Sequence, residues 1–178
     1  MDVRSWPDPQ RWLDHDRRLA QALNRASSYR ALLYLCRVVS RLSDGVIWYV
    51  MIAMLPLIAG QAGWRCARHM LIAGLISLTI YKVLKLTTCR LRPYESCPNV
   101  QLCGRVLDQF SFPSGHTFHA VGFSLVLSYH FPMIAVVAIP FTMLVALSRV
   151  VLGLHYPSDV LAGAVCGAMV GLASVFII

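Results

Sequence analysis

Three short stretches of this chain carry residue types that can handle a phosphate group. The first, KLTTCRLRP, holds Lys85 and, after six intervening residues, Arg92 followed by Pro93. The second, PSGH, ends in His116, and the third, SRVVLGLHYPSD, sets Ser148 and Arg149 ahead of His155 and Asp159. Lys85, Arg92 and Arg149 are positive charges in an apolar chain, where the affordable arrangement has an anion between them. A phosphate group meets that need. Ser114 and Gly115 stand where a helix begins, so their N–H groups and the helix dipole add donors, and Gly115 permits close approach. Two histidines complete a reaction, one attacking phosphorus and the other protonating the departing oxygen. Asp159, four residues after His155, is spaced to accept from the far ring nitrogen and fix the tautomer that leaves the other nitrogen nucleophilic.

The elements that must position these residues are helices in a membrane. The chain is 57% hydrophobic and only 13% charged, which excludes a large water-facing surface and points to a polytopic all-α membrane protein. Five apolar runs, at 45–62, 68–88, 116–131, 133–153 and 158–178, are candidate transmembrane helices. The third is short and meets Pro132, which breaks it and begins a tight turn. Residues 1–43 read as amphipathic helices ahead of a catalytic core at 45–178, the whole forming one domain over 1–178. In residues 29–42 the polar members Arg30, Tyr34, Arg37 and Arg41 recur at helical spacing. Three arginines are costly near a bilayer centre, so an interfacial helix is the expectation, and a sixth span is the alternative. A more polar pattern at 12–24 predicts another surface helix. The first residues show no secretory signal.

By parity of spans, residues 89–115, the turn at 154–157 and the N-terminal segment share one face, which gathers all three motifs. The linker at 63–69, with Arg65, Arg68 and His69, shares the other face with the Pro132 turn. Counting positive charges favours a cytoplasmic linker, and the Arg-rich N-terminus then conflicts with that rule unless residues 29–43 cross or their arginines meet lipid phosphates. Sixteen Lys and Arg against eight Asp and Glu give a net charge of +8, which suits anionic lipid headgroups or phosphorylated ligands and not nucleic acid, for which no soluble basic face is evident.

Other polar residues have blander readings. His119 lies one turn after His116 and reads as a neighbour, Lys82 as an interfacial side chain, and Arg90 and Arg105 as partners of headgroups or of loop acids such as Glu95 and Asp108. No Cys or carboxylate completes a metal site with the two histidines. Cys36, Cys66 and Cys166 read as buried apolar residues, whereas Cys97 and Cys103 flank a polar loop and could close a disulfide in an oxidising compartment.

Taken together, Lys85, Arg92 and Pro93, then Pro113 to His116, then Ser148, Arg149, His155 and Asp159 resemble the three-part signature of the type 2 phosphatidic acid phosphatase superfamily. The resemblance spans residues 85–159 with no departure at a signature position. It implies a metal-independent, cofactor-free membrane phosphatase acting on lipid phosphates or diphosphates. His155 would be the nucleophile forming a phosphohistidine, Asp159 its orienter and His116 the general acid, with Lys85, Arg92, Ser114, Gly115 and Arg149 holding the phosphoryl oxygens. The expected substrate is a membrane lipid, with undecaprenyl diphosphate favoured over phosphatidylglycerol phosphate, phosphatidic acid or a lipid A phosphate, and the expected place is the outer face of a bacterial-type inner membrane. A lipid-to-lipid phosphotransferase, a vanadate-dependent haloperoxidase and a lipid-binding scaffold with a dead site are the alternatives.

Overall fold

The computed structural model describes residues 9–176, among which there is no strand. Its helices are α1 (Pro9–Asn24), α2 (Arg30–Leu42), α3 (Val46–Thr88), the short α4 (Pro93–Ser96), α5 (Gly115–His130), α6 (Ala135–Val151) and α7 (Pro157–Phe176). Three helical stretches, Val46–Ser96, Pro132–Val151 and Pro157–Phe176, are long and apolar enough to cross a membrane. With α5 between them, these helices make an integral membrane bundle.

A straight α3 would be about 65 Å long at 1.5 Å per residue. It is not straight, because Gly60 takes φ 53°, ψ −130° and interrupts the helical backbone. Asp44, just before α3, and Tyr81, near its end, both reach the first turn of α5: Asp44 contacts His116, and a Cβ on Gly115 would meet the Tyr81 ring at 3.6 Å. The chain therefore folds back at residue 60 into two arms, 46–59 and 61–88. This corrects the expected linker at 63–69, since one glycine in a left-handed conformation is enough for the reversal. Arg65, Arg68 and His69 lie instead on the first turns of the second arm. His69 Nδ1 sits 3.0 Å from His130 Nε2 at the far end of α5, which marks the bundle end opposite the three motifs.

Close backbone contact locks α5 to α7. Gly163, Gly167 and Gly171 repeat every fourth residue and face Ser114, Phe118 and Gly122, which repeat likewise. A Cβ at these glycines would lie 2.6, 2.3 and 2.8 Å from the facing carbonyl oxygens. Small residues at helical spacing are how membrane helices approach without a hydrophobic driving force between them.

The N-terminal helices lie over the motif end. On α1, Asp16, Ala20 and Asn24 are buried at four-residue intervals, so one face is laid on the loops. The Asn24 amide donates to Gln101 O and Val151 O and accepts from Gln101 N. On α2, Leu32, Leu33 and Cys36 pack with Leu152, Leu154, Cys103 and Val106, and Arg37 Nε donates to Cys103 O. Arg30, Tyr34, Arg37 and Arg41 stay exposed, as the amphipathic pattern requires. The cysteine pair is not bridged: Cys97 packs with Ala20, Val100 and Tyr156, and Cys103 belongs to the separate cluster around Cys36. The loop between them is held by Asn24 rather than by a covalent link.

Replacing Gly167 with leucine should drive α5 and α7 apart. We expect a loss of at least roughly 1–3 kcal/mol, the usual cost of overpacking, read as a lowered thermal unfolding midpoint in detergent. An unchanged midpoint would contradict the close packing described.

Candidate active site

Each motif owes its position to a helix end. Lys85 is on the last turn of α3, 5% exposed. Past Cys89 the chain is extended to Arg92 (φ −77°, ψ 155°), as a residue before proline prefers, and Pro93 opens α4. Glu95 accepts from the Arg92 N–H and Ser96 Oγ donates to the Arg92 carbonyl, so this one-turn helix fixes the arginine's backbone while its side chain runs inward. Ser114 is the N-cap of α5, its N–H donating to the Asp159 carbonyl at 3.0 Å, which ties the second motif to the third. After α6 the chain turns back over its own end, and the N–H groups of Leu154 and His155 both donate to Arg149 O. Asp159 lies in the first turn of α7 and accepts from Tyr156 N at 2.8 Å.

Of the residues expected at the site, Arg92, Gly115, His116, Arg149 and His155 line one cavity, Lys85 joins Arg92 through Asp108, and Asp159 and Ser114 stand behind the lining; Gly115 is not crowded. A Cβ there would meet Tyr81 only at ordinary contact distance, so packing within the protein does not demand glycine. Arg92 and Arg149 are 1% and 2% exposed. Arg92 donates to Leu154 O at 2.7 Å and, together with Lys85, to Asp108 Oδ1 at 2.6 and 2.9 Å. Arg149 donates to Ser40 Oγ of α2, its buried Nε has no hydrogen-bond partner, and among the described residues no ion pair reaches it. His155 points Nε2 towards this cluster, 3.4 Å from Arg92 Nη1, and Nδ1 towards Asp159 Oδ2 at 3.6 Å, an ion-pair distance longer than a hydrogen bond. Burial, followed by the charges of Arg149, Arg92 and Lys85, holds His155 well below the ordinary histidine value of 6.5. It is a neutral imidazole.

Sequence reasoning missed four polar partners. Asp108, expected as a loop acid for Arg90 or Arg105, instead pairs with Lys85 and Arg92. Burial pushes its carboxyl up, but Lys85 and Arg92 outweigh that and keep it below the usual range. Arg90 does meet loop-level acids, though not the two expected: Nη1 donates to Asp159 Oδ1 at 2.6 Å and Nη2 to Asp16 Oδ2 at 2.7 Å, with the guanidinium over the Tyr156 ring. Asp16 also accepts from the Ser158 N–H and hydroxyl. Asp44 contacts His116, and Ser40 contacts Arg149. For Asp44 the available signal is a carboxylate at a helix boundary in an apolar chain, though nothing in the spacing names its partner, and Asp16, in the middle of α1, carries no such signal. Arg105 is exposed beside Arg37 and Arg41, and Lys82 is exposed at the cavity rim.

The cluster forms the polar end of a cavity of about 430 Å³. From His155, Arg92, Arg149 and His116 it continues between the two arms of α3, where Trp48, Ile52, Met70, Leu75, Leu78 and Phe123 line it. From Lys82 to Met70 it follows about 18 Å of the second arm. His119 also lines it, with Nδ1 held by Gly115 O at 2.9 Å and its ring edge-on to Tyr81.

The sequence pattern of the PAP2 superfamily matches residues 64–178. The chain is 32% identical over 145 residues to the decaprenylphosphoryl-5-phosphoribose phosphatase of Mycobacterium tuberculosis, covering 79% of this chain and 77% of that protein. Its fold matches the crystal structure of Aquifex aeolicus LpxE with a TM-score of 0.79 at 21% identity, over 98% of this chain and 99% of the other. A transmembrane PAP2-type phosphatidylglycerolphosphate phosphatase from Bacillus subtilis matches with a TM-score of 0.69 at 24% identity, over 89% and 84%. With the signature residues converging at one end of a membrane bundle and the family pattern covering most of the chain, this protein belongs to the PAP2 superfamily, in its membrane phosphatase branch.

Proposed function

We propose that the chain hydrolyses the phosphate headgroup of a membrane lipid through a phosphohistidine on His155. One observation carries this reading: Arg149 is buried, unmatched by any ion pair among the described residues, and lines a cavity that joins a cationic cluster to an apolar groove. A buried guanidinium without a carboxylate is costly, and a phosphate anion supplies what it lacks. The groove accepts an acyl or prenyl chain entering sideways from the bilayer, so the ligand is an amphiphile with a phosphorylated end.

The chemistry runs in two displacements. His155 Nε2 attacks phosphorus as the ester P–O bond breaks, and His116 gives its proton to the departing oxygen. Water then attacks the phosphohistidine, the N–P bond breaks, and His116 takes the water's proton. Lys85, Arg92 and Arg149, with the Gly115 N–H, stabilise the charge that builds on the equatorial oxygens, a task of positioning and electrostatics, whereas the Ser114 N–H, expected to join them, is taken by the Asp159 carbonyl. Asp159 orients His155, and Arg90 neutralises the carboxylate oxygen that Asp159 does not turn to the histidine. As the substrate class we favour a polyprenyl-linked phosphomonoester or diphosphate, the former because the M. tuberculosis relative is named for a decaprenyl-linked one, and undecaprenyl diphosphate for the latter. We favour the outer face of a bacterial-type inner membrane for the reaction, on the charges of Arg65 and Arg68 at the opposite end, with the exposed arginines of α2 at the motif end meeting lipid phosphates.

Detergent-purified protein should release inorganic phosphate from a lipid phosphate panel without an acceptor lipid and with chelator present, and His155→Ala should reduce release by at least about 10³-fold. Full activity in that variant would overturn the nucleophile, and release only with an acceptor lipid would make the protein a phosphotransferase. Because the neutral form of His155 persists above its lowered pKa, its protonation should limit kcat/KM only well below the ordinary histidine value of 6.5. Arg90→Gln leaves Asp159 as an unpaired buried charge and should lower unfolding free energy by roughly 3–5 kcal/mol. Asp16→Asn should cost less in the same unfolding measurement, since Arg90 then keeps Asp159.

A further inference from the structure

The turn between α2 and α3 aims a carboxylate at the second histidine. Asp44 Oδ1 lies 2.5 Å from His116 Nε2, with side chains 17% and 10% exposed. The turn is well anchored: the N–H groups of Ser43 and Asp44 donate to Val39 O and Arg41 O, and Ser43 Oγ donates to Ser40 O. Ser40, one turn earlier in the same helix, takes the Arg149 guanidinium. The end of α2 thus touches both the acid and one of the phosphate-binding cations, although Asp44 lies outside the residues that match the family pattern.

The surroundings of His116 explain why such a carboxylate is needed. Arg149 faces it from α6, His119 from the next turn of α5 and His155 from the α6–α7 loop. Among the described residues Asp44 is the carboxylate within ion-pair distance. A general acid must begin the reaction protonated, and a buried imidazolium beside an arginine is unfavourable without an anion of its own. Burial pushes the Asp44 carboxyl up, but the hydrogen bond with His116 and the charges of His116, Arg149 and Arg41 outweigh it and keep Asp44 below the usual carboxylate range. It is ionised when the acid needs it.

We propose that Asp44 is the positioning residue of the general acid, accepting the Nε2–H of His116 so that Nδ1 carries the proton that moves. The proposal rests on the phosphatase reading above. In the first displacement the Nδ1 proton goes to the leaving oxygen as its bond to phosphorus breaks, while the Nε2–H stays with Asp44. In the second, Nδ1 receives a proton from the attacking water, and the imidazolium is restored. Asp44 never exchanges a proton with substrate; it holds the ring in one tautomer and one orientation throughout, as the buried aspartate does for the histidine in serine proteases.

The test compares two esters by kcat/KM, which reports the first displacement alone. An alkyl lipid phosphate needs a proton on its leaving oxygen, whereas p-nitrophenyl phosphate does not. Asp44→Asn should lose about 100-fold on the alkyl ester, within the range of general acid catalysis, and at least about tenfold less on the aryl ester. The alkaline limb of its alkyl-ester profile should move to lower pH, because the imidazolium has lost its anion. Asp44→Glu should recover part of the loss, and adding Asp44→Asn to His116→Ala should lower activity no further. Equal losses on the two esters, in Asp44→Asn or in Asp44→Glu should the first variant not fold, would overturn the proposal by showing a structural role. So would an unmoved alkaline limb. Wild-type protein that hydrolyses neither ester would instead overturn the phosphatase reading itself, an outcome that does not depend on any variant.

Discussion

Lys85, Arg92 and Arg149 lie buried within one end of an apolar bundle, and the arrangement of that end follows from what three confined positive charges require. Each needs oxygen ligands to offset lost hydration. Arg92 finds them in the Leu154 carbonyl and Asp108, Lys85 in Asp108 and the Phe110 carbonyl. These acceptors come from the loops that link the helices, which explains why the loops at this end are long and ordered against the bundle rather than cut to tight turns. Arg149 receives one hydroxyl and, among the described residues, no ion pair. That imbalance is what the proposed phosphate would offset.

The same charges set the state of the histidine beside them. Burial among cations favours the neutral form of His155, so the field that would attract a phosphate also keeps the proposed nucleophile unprotonated. Asp159 is fully buried, and its second oxygen is matched by Arg90, which is matched in turn by Asp16 of α1. Charges therefore alternate outward from His155, each layer neutralising the one inside it. The N-terminal helices are part of this sequence of layers, since α1 supplies its outermost carboxylate and α2 supplies Ser40 and the turn bearing Asp44.

Rigid spacing comes from the helices below. The glycines of α7 press against carbonyls of α5, and the Ser114 N–H meets the Asp159 carbonyl, so the start of α5 cannot slide along α7 without breaking backbone contacts. This fixes His116 relative to Asp159 and thus to His155. The folded-back α3 plays a different part, because its two arms diverge enough to leave the apolar groove between them.

Much of this was legible in the amino-acid order. Apolar runs mark the helices, and the spacing of Lys85, Arg92, Ser114, His116, Arg149, His155 and Asp159 places them at one end of the bundle, because local periodicity and span parity determine which end of a helix a residue occupies. The amphipathic stripe of α2 was equally readable. What periodicity cannot carry is pairing across long sequence separation. Asp16 with Arg90, Asp44 with His116 and Ser40 with Arg149 join residues 74, 72 and 109 positions apart, and only the packing of α1 and α2 over the loops brings them together. The same holds for the reversal at Gly60, where one backbone conformation moved the turn out of the polar linker, and for Cys97 and Cys103, which packing sent into different clusters. The sequence by itself determined which residues stand at the membrane face and what chemistry their types allow; the tertiary structure decided their partners, because a buried charge takes whichever opposite charge three-dimensional packing delivers.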